Sequence, residues 1–229
     1  MESLNMTQTD MVNPMSPDSF EPFDGMPGFA AVALDNSMRI LWCNEEFARV
    51  HGSTPAQVVG SDLASKIAPP MAKEREALAR PAMDDGKSVS FVQLDRGIRW
   101  LTRVWPLDTQ AFGKPGVFMV LKQGTVRRDR NAAAASLPLA KVGDLGELDV
   151  LTPRELEVFY YLAAGMTVAD IGELLHRSPK TVERHLESLH RKMNFKNRAE
   201  LVREAVERGL VAFTPEEWSW FVNCKRTAM

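Results

Sequence analysis

The sequence predicts two folded domains: an α+β domain with an antiparallel sheet and helices on one face, then an all-α domain of four helices. Three observations carry this. Short apolar segments separated by turn signals fill residues 26–126 in the order β-β-α-α-α-β-β-β. Four successive helical patterns, each with its own capping signal, fill 149–213. Between them, 127–148 carries Pro138, Gly143 and Gly146 and reads as a linker. A length of 229 residues holds one or two domains.

With 45% hydrophobic and 25% charged residues the chain has the composition of a soluble globular protein. No apolar run approaches the roughly 18 residues that a membrane span needs. The N-terminal MESLNMTQTD lacks both the basic and the apolar region of a secretory signal. Cys43 and Cys224 form no CxxC pair, which fits a reducing compartment. The expectation is a cytoplasmic protein without a membrane partner.

Charge is segregated along the chain. Glu2, Asp10, Asp18, Glu21 and Asp24 stand in the first 24 residues with no Lys or Arg, and 1–25 is expected to be a disordered acidic arm. Residues 176–198 reverse the sign: Arg177, Lys180, Arg184, Arg191, Lys192, Lys196 and Arg198 face only Glu183 and Glu187. A basic patch inside a chain of net charge −2 is the electrostatic footprint of a nucleic-acid contact, although a solvated helix face produces the same run.

In the first domain, strands at 29–34 and 38–42 flank the turn Asp35-Asn36-Ser37. A short helix runs from Asn44 to about Val50, and Thr54-Pro55-Ala56-Gln57 starts another. A longer helix suits 71–84, where Pro81 should kink or shorten it. Strands at 88–94 and 98–105 flank Asp95-Arg96-Gly97, and 117–122 is the last. The stretch ALDNSMRILWCNEEFARVHGSTPAQVVGSDL and the exit VFMVLKQGTVRRDR resemble a PAS domain over about 26–126, with Gly124 where Asp is common. The resemblance implies a sensor or dimerisation domain. The Ala run at 132–135 is expected to extend a helix out of the sheet domain.

In the second domain, Thr152-Pro153-Arg154-Glu155 is a capping box with Pro in the first turn, and Leu156, Phe159, Tyr160 and Ala163 fall on one face. Thr167 opens a second helix with apolar Ile171, Leu174 and Leu175. Ser178-Pro179 opens a third with Val182, Leu186, Leu189 and Met193 inward, and Asn197 begins a fourth. LTPRE, AAGMTVADIGELL, SPKTVERH and ERGLV together closely resemble the helix-turn-helix of LuxR/FixJ-type bacterial regulators, from about 148 to 212.

That resemblance implies a supporting helix from Thr167 and a reading helix from Ser178, with Thr167, Ile171, Leu175, Ser178, Val182 and Leu186 as scaffold. Glu183, Arg184 and Glu187 match positions that face bases. Arg184 suits guanine and Glu183 a cytosine amino group. Arg177, Lys180, Thr181 and Lys192 suit phosphates. Glu187 departs from the family, where a basic or small residue is common.

Other chemistries find no support in the sequence. His185 and His190 are five residues apart, on different helix faces, so a metal site is not expected. There is no Walker-type loop, HExxH or nucleophile elbow, and no enzymatic activity is expected. Cys43 does not match the cysteine motif of flavin photosensors, and His51 suits a structural role better than haem ligation. Trp42, Trp100, Trp105, Phe91 and Phe118 suit a pocket lining and a core equally. The sequence identifies no cofactor. Thr214-Pro215-Glu216-Glu217-Trp218 repeats the capping pattern, so a fifth helix is expected in the tail at 214–229, packing on the protein or on a partner.

The expected function is sequence-specific transcription regulation in bacteria. Its partners would be double-stranded DNA, a second copy of the chain, and a small-molecule or protein signal at the PAS domain. Two rivals remain open: a PAS-based signalling or interaction protein that does not read DNA, and a haem- or flavin-bearing sensor.

Overall fold

A computed structural model describes residues 14–124 and 137–228. The chain divides into two compact units. One holds the described residues up to Phe91 together with Leu101–Lys122, and the other holds Val92–Trp100 with the described residues from Gln123 onward.

The strands are β1 (Phe29–Asp35), β2 (Ile40–Cys43), β3 (Val89–Asp95), β4 (Ile98–Pro106) and β5 (Gly116–Gln123). They form a five-stranded antiparallel sheet in the order β2-β1-β5-β4-β3. β1 pairs along its whole length with β5, Phe29 opposite Lys122 through Asp35 opposite Gly116. Six of its seven residues are buried, because both faces are covered.

Helix α1 (Glu45–Val50) packs against β1. Its cap is Asn44, only 1% exposed. The Asn44 carboxamide accepts from Phe47 N and Ala31 N, each at 2.9 Å, and donates to the carbonyls of Phe23 and Phe29, each at 2.7 Å. One side chain thus joins helix, strand and N-terminal segment with every polar valence used.

On the opposite face, Ala31, Ala33, Phe118 and Val120 meet Phe20, with half-buried Trp42 and Trp105 packed beside them. The Phe20 ring stacks on Phe118 at 4.4 Å. Residues 1–13 of the expected acidic arm lie outside the described residues. From Met15 onward the segment carries two 3-10 turns, at Pro17–Ser19 and Glu21–Phe23, and Met15 N donates to Pro106 O at 2.9 Å. One aromatic side chain anchors a stretch whose composition reads as disordered.

Helix α2 (Pro55–Val58) follows, then α3 (Pro69–Asp85) and, between β4 and β5, the single turn α4 (Thr109–Phe112). Pro81 does not shorten α3, which continues past it to Asp85 and its left-handed cap at Gly86. Burial of Ala79 and Ala82 offsets the lost backbone bond. The expected helix at 132–135 lies outside the described residues.

The second unit contains α5 (Pro153–Ala163), α6 (Val168–Leu174), α7 (Pro179–Met193), α8 (Arg198–Glu207) and α9 (Pro215–Ala228). It also contains the β3–β4 turn, which the sequence reading placed wholly in the first domain. The turn residues bond to the later chain, for example Gly97 N to Asp144 O at 2.9 Å. Among the described residues no helix is long and apolar enough to cross a membrane.

Candidate nucleic-acid interface

The site is built on α5. Thr152 Oγ1 accepts from Glu155 N at 3.3 Å, and Glu155 Oε2 accepts from Thr152 N at 2.7 Å, so the capping box of the sequence is formed. Leu156, Phe159 and Tyr160 are buried and give α6, α7 and α8 a common surface. Thr167 and Asp170 form a second capping box on α6.

The turn into α7 needs a close approach that the sequence motif alone does not display. Arg177 N donates to Gly172 O at 2.8 Å, and a Cβ on Gly172 would lie 2.8 Å from Arg177 O. His176 supplies the left-handed residue, with φ of 53°. Ser178 Oγ then accepts from Thr181 N at 3.2 Å and starts α7.

Along α7, Val182 and Leu189 are buried, while Leu186 and Met193 are half-buried. The opposite stripe of Lys180, Glu183, Arg184, Glu187 and Arg191 is exposed. Spacings of three and four residues put these side chains in one row over a helix of roughly 22 Å. Glu183, Arg184, Glu187 and Lys180 have no side-chain bond or ion pair among the described residues. Arg191 reaches Ser188 Oγ at 3.4 Å, and the Thr181 hydroxyl lies 2.9 Å from that of Ser178. Arg177 is also exposed.

One sequence expectation meets a competing contact and another needs correction. Lys192, expected to hold a phosphate, has its Nζ 2.7 Å from Glu155 Oε2. It ties α7 to the start of α5. Leu174 was expected in the apolar face of α6 but is 46% exposed, whereas Ile171 is buried and Leu175 half-buried. On a helix this short, the following turn pulls only Leu175 inward.

The tail contributes residues that the motif does not cover. Trp218, 1% exposed, donates from Nε1 to Leu156 O at 3.1 Å and stacks on Tyr160 at 5.7 Å. Tyr160 OH donates to Phe213 O at 2.8 Å, and Arg226 pairs with Glu157 at 2.9 Å. The fifth helix expected from the capping pattern therefore packs on α5. Toward α8, Arg198 donates to Met166 O at 3.1 Å, and His190 Nδ1 lies 3.1 Å from Phe195 O.

Burial pushes the Glu155 carboxyl upward, but bonds from Lys192, Ser188 and Thr152 outweigh it and hold the group at about 2. It is an anion fixed inside the scaffold. Lys180, Glu183, Arg184 and Glu187 on α7 are left free to meet a ligand.

Comparison with known proteins gives two family matches. Residues 149–205 match the family described as bacterial regulatory proteins, luxR family, and residues 23–129 match the PAS fold. The transcriptional regulatory protein DegU of Brevibacillus brevis is 39% identical over 64 residues, which are 28% of this chain and 27% of that protein. The putative HTH-type transcriptional regulator YhjB of Escherichia coli is 42% identical over 57 residues, 25% of this chain and 28% of that one. The chain thus spans little more than a quarter of the curated relatives it matches. A Vibrio cholerae VqmA–ligand–DNA complex aligns over 89% of this chain and 93% of its own, with 20% identity and a TM-score of 0.47.

Proposed function

We propose that this protein, a luxR-type helix-turn-helix joined to a PAS fold, is a bacterial transcription regulator that reads duplex DNA with α7. The observation that carries the reading is the exposed row on α7, in which Lys180, Glu183, Arg184 and Glu187 have no partner among the described residues, built on four capped helices. Arg184 and Glu183 stand near the N-terminal half of the helix, the part that reaches base edges when such a helix lies in the major groove. Lys180 and Arg177 flank them and suit phosphates, with Thr181 as an uncharged donor. Lys192 drops out of that group. Glu183 and Glu187 add negative charge at the contact, so the row rejects some sequences as well as holding the backbone.

The protein works in the cytoplasm as a homodimer, because two-fold operators need two reading helices about one DNA turn apart. The PAS domain either receives a signal or pairs the two copies, and it acts by favouring one arrangement of the helices over another.

The test is binding of the full chain to genomic fragments across a salt series, followed by genome-wide mapping of bound sites. The expected result is a set of shared sites bound well above random duplex, with affinity falling as salt rises. Equal affinity for specific and random duplex at every salt would overturn the reading and favour a signalling protein that does not read DNA.

A further inference from the structure

The β3–β4 turn and the chain after residue 137 meet through backbone hydrogen bonds. Val92 N donates to Pro138 O at 2.9 Å and Ala140 N to Val92 O at 2.8 Å, a short parallel pairing on the β3 edge. Asp144 N donates to Leu94 O at 3.1 Å, and Arg99 N to Arg208 O, at the end of α8, at 2.8 Å. Arg96 and Gly97 both have positive φ, 51° and 71°, as a two-residue hairpin turn requires. A Cβ on Gly97 would lie 2.6 Å from Leu145 O, so the turn fits only without a side chain.

Arg99 sits inside this seam and does not fit it. It is 8% exposed, and its Nε and Nη1 have no hydrogen-bond partner among the described residues. The guanidinium lies over the Phe213 ring at 5.3 Å. Glu217 attracts it, but that carboxylate already accepts from Thr214 N at 2.7 Å to cap α9. An arginine does not escape burial by losing its proton. It stays a cation whose unused donors regain water only if the seam opens. Among the described residues, α5, α6, α7 and α8 carry no such debt. Trp218 and Tyr160 have both found acceptors.

We propose that Arg99 makes this seam a latch: the β3–β4 turn, residues 138–148 and the end of α8 part as one local opening while α5, α6 and α7 stay folded. If α7 reads DNA as argued above, the opening makes the hold of the β3–β4 turn within the second unit reversible, and a signal need only bias the latch.

Hydrogen exchange of the full chain at low denaturant tests this. The amides of Val92, Gly97, Arg99, Ala140 and Asp144 are expected to exchange through an opening nearly independent of denaturant, at least tenfold faster than those of Phe159 and Leu189. Arg99→Met keeps the stem and removes the charge, and should slow the seam amides roughly tenfold without changing α5 or α7. Arg99→Gln, smaller and neutral, gives the same direction if the longer apolar side chain fails to pack. Seam amides that exchange only with global unfolding, or that exchange as fast or faster in both variants, would overturn the latch. No DNA enters the measurement. A failed latch leaves the reading of DNA standing, and loss of that reading leaves the exchange result intact.

Discussion

Lys192 Nζ and Glu155 Oε2 lie 2.7 Å apart, joining the last turn of the exposed helix to the first turn of the helix that supports it. Glu155 is 3% exposed and closes its own capping box with the same oxygen. The pair therefore fixes where α7 starts and stops relative to α5. Removing one partner leaves a buried charge unpaired, which costs more than the pair itself contributes. Lys192→Ala is expected to lower stability in urea by about 2–3 kcal/mol, measured by tryptophan fluorescence. Glu155→Gln should cost a similar amount.

The same pair predicts a pH dependence. The folded Glu155 carboxyl titrates at about 2, below its ordinary value of 4.5. A depressed carboxylate contributes its full stabilisation above the unfolded value and loses it as the pH falls through the folded one. The difference is on the order of 3 kcal/mol at neutral pH. Unfolding followed between pH 6 and 2 should show wild type weakening below about pH 4.5, while Glu155→Gln weakens less. Parallel curves for the two proteins would remove Glu155 as the source.

Trp218 supports a second prediction about the scaffold. Its indole is buried against Tyr160 and bonded to Leu156 O. Trp218→Ala is expected to cost about 3–5 kcal/mol. Trp218→Phe keeps a ring on Tyr160 and loses mainly the hydrogen bond, about 1 kcal/mol. Thermal melts of the two variants should therefore separate widely, and equal melting temperatures would contradict the packing.

The cysteines differ in a way that alkylation reads out directly. Cys43 is buried, and burial pushes its thiol up to about 11 despite Lys66 nearby. Cys224 is exposed on α9. Treatment of the native protein with N-ethylmaleimide at neutral pH should modify Cys224 alone, with Cys43 reacting only on unfolding. Mass spectrometry of tryptic peptides checks this.

The helices of the second unit were legible because each announces itself locally. Thr152, Thr167, Ser178 and Asn197 cap their helices as their spacing to the following residues implies. The strands and the two turns joining them were legible at Asp35-Asn36-Ser37 and Arg96-Gly97, whereas the order of the strands across the sheet was not read from the sequence. What stayed hidden depends on partners distant in sequence. Phe20 looks like one aromatic in an acidic tail until Phe118 is placed beside it. Lys192 looks like one more base in a basic helix until Glu155, 37 residues earlier, claims it. Gly172 and His176 shape the turn through backbone geometry, which residue type only hints at.

That distinction sets up the sharpest test of the reading helix. Arg184 and Lys180 are both exposed and unpaired, but only Arg184 stands where a bidentate contact to guanine suits it. Arg184→Ala is expected to cost about 1–3 kcal/mol on the preferred site and almost nothing on random duplex, so selectivity falls. Lys180→Ala should weaken both duplexes alike and reduce the slope of log affinity against log salt by about one. Lys192→Ala, once its stability loss is compensated by working at low temperature, should leave that slope unchanged, because the ammonium is spent on Glu155. Fluorescence anisotropy with both duplexes across a salt series separates the three. A Lys192→Ala slope shifted like that of Lys180→Ala would return Lys192 to the phosphate-binding group.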